Sequence, residues 1–173
     1  MTELSRHQGY MVLALQQARI ALNKDEVPVG CVLIHNQTNQ LIASSYNQTN
    51  ITKNSTSHCE YILINYILNQ LNYTVDIFNS CTLYVTVEPC IMCSAILQYV
   101  NIHTIVFGCK NDRFGGCINS CINIPYSYNI VSDIYSVQAI ELLKLFYERG
   151  NPNAPEHKRT RPLVDRSIKI NDT

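Results

Sequence analysis

Apolar residues near the start of the chain fall at Met11, Ala14, Leu15, Ala18 and Leu22. Steps of three and four mark one face of a helix, so this stretch is expected to be amphipathic, with one side in a core. The period then changes. VGCVLIH (Val29–His35) and QLIASSY (Gln40–Tyr46) are β-prone runs joined by the polar NQTN, the pattern of a hairpin. The polar stretch NQTNITKNSTS reads as a loop. HCEYILINYILNQL (His58–Leu71) returns to helical spacing, with apolar residues at Ile62, Ile64, Ile67, Leu68 and Leu71 and Ser57 as N-cap. CTLYVTV (Cys81–Val87) reads as a buried strand, followed by a helix opened by Pro89, a residue favoured in a first helical turn. HTIVFG (His103–Gly108) is a further strand. Cys109–Tyr128, with Gly115, Gly116 and Pro125, reads as a long loop, and DIYSVQAIELLKLFYERG as a final helix stopped by Gly150 and Pro152. A helix, a hairpin and then strands alternating with helices imply an α/β fold: a three-layer α/β/α sandwich around a mixed sheet. The chain shows no internal repeats.

The composition fits that reading. With 173 residues, 46% hydrophobic and 15% charged, the chain can bury one substantial core, so one domain over 1–150 and a tail over 151–173 are expected. No apolar run approaches the roughly 18 residues of a membrane span. Eight cysteines, and Asn-x-Ser/Thr triplets at Asn36, Asn47, Asn50, Asn54, Asn72 and Asn171, raise the alternative of a secreted, glycosylated, disulfide-bonded protein. The opening residues show no basic segment followed by a continuous apolar one, and so many Asn, Ser and Thr residues generate such triplets by chance. An intracellular protein of the nucleus, the cytoplasm or both is expected, with no membrane partner.

Charge sharpens the division between domain and tail. The net charge is zero overall, but residues 1–155 carry 8 Lys/Arg against 10 Asp/Glu and residues 156–173 carry 5 against 3. Lys158, Arg159, Arg161, Arg166 and Lys169 therefore make a basic tail, either a solvated terminus or a phosphate-binding segment.

The candidate chemistry lies at two helix starts. Cys90 and Cys93 are three residues apart in a first turn, so their sulfurs can share one ion, and helix N-terminal amides favour the thiolate. The spacing alone also suits a thioredoxin-like redox site. The segment His58-Cys59-Glu60 changes the balance. His58 can give a third ligand, and Glu60 can face the same cleft without binding the metal. Three protein ligands leave a position open for water, the mark of a catalytic zinc site, with Glu60 as proton shuttle. HxE followed by PCxxC is the known signature of zinc nucleobase deaminases.

Over nearly the whole chain, VPVGCVLI, the Asn47 loop, HCE, TLYVTVEPCIMCSAIL and IVFGC resemble, in order and spacing, the tRNA adenosine deaminases of the cytidine deaminase-like superfamily. NDRFGGC and LLKLFYERGNPNAPEHKR further resemble the catalytic subunit of the eukaryotic heterodimeric branch, which converts wobble adenosine to inosine. The resemblance implies a central five-stranded sheet and one catalytic zinc ion. It also implies Asn47 and Val29 at the target nucleoside, tRNA as substrate, and a related, catalytically inactive deaminase-like subunit as partner. With that substrate, Lys158, Arg159 and Arg161 become candidate RNA contacts. Cys59 departs from the family, which commonly has alanine there; a small buried residue is its expected role.

Other readings stay open at this stage. His58, Cys90 and Cys93 could form a structural zinc site with a fourth ligand from Cys109, Cys117 or Cys121. Cys31 and Cys81 read as core residues, and His7, His35, His103 and His157 as surface or strand-end residues. A deaminase of a free base, nucleoside or nucleotide leaves the basic tail and NDRFGGC unexplained. A non-catalytic zinc-binding subunit conflicts with an intact Glu60.

Overall fold

The computed structural model describes residues 2–118, 128–149 and 155–156. The chain forms a five-stranded mixed sheet with helices on both faces. The strands are β1 (Gly30–His35), β2 (Leu41–Tyr46), β3 (Cys81–Val87), β4 (Thr104–Cys109) and β5 (Asn129–Val131), in spatial order β2-β1-β3-β4-β5. β1 pairs antiparallel with β2 and β3, while β3, β4 and β5 run parallel. β5 has no counterpart in the apolar pattern of the sequence, because it is three residues long with Asn129 and Ile130 exposed.

Each central strand is buried on both faces. On β1, Cys31 and Leu33 join one core, with Leu63, Ile67, Phe78 and Leu97, while Val32 and Ile34 join the other, with Met11, Ala14, Ala18 and Leu142. The first core lies under α3 (Cys59–Asn69) and α4 (Ile91–Tyr99), the second under α1 (Glu3–Asn23) and α5 (Ser136–Glu148). Burying a Leu, Ile or Phe side chain contributes about 1.5–3 kcal/mol, so these two layers dominate the stability of the fold. No helix among the described residues is long and apolar enough to cross a membrane.

Several boundaries differ from the sequence reading, for identifiable reasons. The polar stretch after β2 contains a one-turn helix, α2 (Thr49–Thr52), whose amides at Asn50 and Ile51 donate to the buried Glu26 carboxylate at 3.0 and 2.7 Å. The N-cap of α3 is His58 rather than Ser57, and the first amide of the helix is satisfied by Asn47 instead. Pro89 precedes the helix rather than opening it, because Cys90 takes the N-cap position and α4 starts at Ile91. His7 is buried, its Nδ1 2.9 Å from the Tyr84 hydroxyl, and is not a surface residue. Gly150, Pro152, His157, Cys121 and the tail residues Lys158, Arg159 and Arg161 lie outside the described residues.

Candidate metal centre and active site

The parallel strands β3 and β4 end on the same edge of the sheet, and the chain leaving β3 turns at once through Glu88 and Pro89 into α4. β1 runs the other way, so its entry residue Val29 reaches the same edge. Ligands of open α/β sheets sit in such crevices, outside the carboxyl ends of parallel strands.

His58 and Cys90 are both N-cap residues with extended backbones, which turns their side chains out of the helices they precede. Cys93 lies three residues further along α4. His58 Nδ1 is 3.5 Å from Cys90 Sγ and 3.6 Å from Cys93 Sγ, and the three donor atoms lie within 4.8 Å of one another. Ligands held at zinc–nitrogen and zinc–sulfur bond lengths and spread at tetrahedral angles are about 3.5 Å apart, so the donor set fits the ion in both chemistry and spacing. Hydrogen bonding from Cys93, supplemented by His58, draws the Cys90 thiol down to about 4, so it is a thiolate at neutral pH. The same hydrogen bond, with burial, pushes Cys93 up, and the Cys90 contact holds His58 above its ordinary value. This is the only such group among the described residues. Cys109 and Cys117 instead lie in the cores on opposite faces of the sheet and are not part of it.

Glu60 sits in the first turn of α3, 4% exposed, and burial raises its carboxyl above the ordinary value. The fully buried Cys59 thiol donates to its Oε2 at 3.2 Å. Asn47 is 6% exposed, and its Oδ1 accepts the Cys59 amide at 2.8 Å. A cavity of about 590 Å³ opens over the group, lined by Val29, Asn47, His58, Glu60, Cys90 and Phe114, among others. That volume is within the usual range for small-ligand pockets.

Two positioning residues were not assigned these partners from the sequence. Glu26 anchors α2 and with it the segment that follows Asn47. The buried Glu88 carboxylate accepts backbone amides from Asn111 at 3.0 Å, Cys117 at 3.1 Å and Ile118 at 2.9 Å. Phe114 and Pro89 carbonyls accept the Ile91 and Gly116 amides, so residues 111–118 are stitched to the turn that carries Cys90. The NDRFGGC motif follows from this approach. A Cβ on Gly115 would lie 2.6 Å from Glu88 Oε2, and one on Gly116 2.6 Å from Ser94 Oγ. The partners of Glu88 are 23 to 30 residues away, and no local pattern marks them.

Residues 4–109 match the model of the cytidine and deoxycytidylate deaminase zinc-binding region. The chain is 41% identical over 163 residues to tRNA-specific adenosine deaminase 2 of Xenopus laevis, covering 87% of this chain and 91% of that one. It is 39% identical to the tRNA-specific adenosine deaminase subunit tad2 of Schizosaccharomyces pombe, over 97% of this chain and 44% of that longer one. A solved structure from a study of A-to-I editing by tRNA:A34 deaminases at the wobble position of transfer RNA superimposes with a TM-score of 0.70 at 28% identity, covering 78% of this chain and 99% of that one.

Proposed function

Because the chain belongs to the cytidine and deoxycytidylate deaminase family, we propose that it deaminates adenosine to inosine at the wobble position of tRNA anticodons, as the catalytic subunit of a heterodimer with a related, inactive deaminase-like chain. The observation that carries the reading is the buried Glu60 lining one cavity with His58 and Cys90, two of the three residues of the His58, Cys90 and Cys93 donor set. The reading places the protein with tRNA inside the cell, in the nucleus, the cytoplasm or both.

His58, Cys90 and Cys93 would hold zinc, which when bound supplies the Lewis acidity that lowers the pKa of water from about 15.7 to about 7. Glu60 takes the proton of the attacking water and delivers it to adenine N1 as C6 gains oxygen. It then carries a second proton to the departing amino group, so that water is consumed, ammonia leaves and the base becomes hypoxanthine. A carboxyl raised by burial suits both halves of that transfer, as it binds and releases a proton nearer neutral pH than an exposed glutamate. Asn47 and Val29 hold the nucleoside over the group. Lys158, Arg159 and Arg161 contact tRNA phosphates.

The test is incubation of the purified protein, with and without its partner subunit, with tRNA bearing adenosine at the wobble position and with free nucleosides. Sequencing reads the inosine formed. Inosine at the wobble position only with the partner present is the expected result. Turnover of free nucleosides alone would overturn the tRNA assignment.

A further inference from the structure

The cavity has an aromatic wall that proton transfer does not use. Phe114 lines it together with Glu60 and His58, yet the residue is 56% exposed. A half-exposed Phe forgoes part of the about 1.5–3 kcal/mol that full burial contributes, and its position is not slack. The segment carrying it is fixed by the three amides that Glu88 accepts and by the Phe114 carbonyl bonded to the Ile91 amide at 3.0 Å. The backbone next to the metal-ligand turn thus holds the ring at the cavity mouth before any substrate arrives.

We propose that Phe114 is a stacking platform for the nucleobase adjacent to the adenosine that enters the cavity, so that the substrate is a single strand rather than a free nucleoside. The inference rests on the deaminase reading above and names a recognition element for it. A base reaching Glu60 must leave the stack of its own strand, and its neighbour then loses a stacking partner. An aromatic ring at the mouth replaces that partner for any base sequence, since every base has a π-face. Local charge agrees: exposed Lys110 and Arg113 precede the ring in the same loop, with one exposed carboxylate, Asp112, between them, and the Arg113 guanidinium lies over the ring, 5.0 Å from its centroid. That leaves a net positive rim where the adjoining phosphates would run. A protein partner is the alternative occupant, but a ring lining the cavity of Glu60 would then be covered at the cost of access to it.

The experiment uses the zinc-loaded protein assembled with its partner subunit and two anticodon stem-loop RNAs, with 2-aminopurine immediately 5′ or 3′ of the target adenosine. The expected result is a fluorescence quench on binding in one of the two RNAs, lost in Phe114→Ala and kept in Phe114→Tyr. The RNA dissociation constant should rise about 5- to 150-fold in Phe114→Ala, the range set by one base–aromatic stack, with zinc content unchanged. A Phe114→Ala complex that binds and quenches as wild type overturns the proposal. So does one that fails to assemble with the partner, which would make the ring a protein contact. Wild-type protein that neither binds the stem-loop nor forms inosine overturns the deaminase reading itself, an outcome distinct from both.

Discussion

Asn47 Oδ1 accepts the backbone amide of Cys59 at 2.8 Å, so a loop residue satisfies the first amide of the helix that carries Glu60 and is N-capped by His58. If Asn47 also holds the nucleoside, as proposed, its side-chain amide nitrogen is the donor it can offer. Asn47→Ala should lose about 0.5–2 kcal/mol, the range for a side-chain acceptor lost from a helix N-terminus, together with activity. Asn47→Asp keeps the acceptor and removes the donor. Its thermal midpoint and zinc content should match wild type while kcat/KM for tRNA collapses; equal activity of the Asp variant would show that the cap is all that Asn47 supplies.

Zinc should be held through His58, Cys90 and Cys93. Replacing either cysteine by serine removes a thiolate ligand, so Cys90→Ser and Cys93→Ser should bind substoichiometric zinc by elemental analysis. Unchanged zinc in both variants would sink the assignment.

Glu60→Gln should keep both fold and zinc, because it alters no donor of the His/Cys/Cys group, yet lower kcat by about 10²–10⁴, the usual contribution of a positioned acid/base. Single-turnover assays at saturating tRNA isolate this step from binding. Turnover within tenfold of wild type would place the proton shuttle elsewhere.

If the basic tail contacts tRNA, deleting residues 156–173 should flatten the slope of log affinity against log salt by about 2–4, at about 0.7–0.9 per phosphate contact. Filter binding at several salt concentrations gives the slope directly. An unchanged slope would make Lys158, Arg159 and Arg161 solvated residues.

Burial holds the His7 imidazole below its ordinary value, despite Glu3 nearby. The folded state therefore binds the proton less readily than the unfolded chain. Stability that is complete above about pH 6.5 is lost as pH falls toward the depressed folded value. His7→Gln retains a polar partner for the Tyr84 hydroxyl without titrating. Its thermal midpoint should fall less than that of wild type between about pH 7 and about pH 5; parallel curves would rule out His7 as a source of the acid sensitivity.

The sequence by itself determined the elements and the chemical groups. The three- and four-residue steps of α1 and α3 and the apolar runs of β1 and β3 are local patterns, and a local pattern records whether one face of an element or both are dry. His58 with Glu60, and Cys90 with Cys93, are likewise spaced within single turns, so their potential to share an ion or a cleft was visible before any folding. Tertiary structure decided what local spacing cannot encode. It brought His58 to Cys90 across 32 residues, set Asn47 against the first amide of α3, closed Glu26 on α2, and bound Glu88 to amides within residues 111–118. It also added β5, whose three residues pair along the edge of β4 through backbone groups that every residue carries and no side-chain pattern announces. A hydrogen bond between distant segments depends on where the sheet places both ends, and a single residue type at one end leaves its partner unspecified.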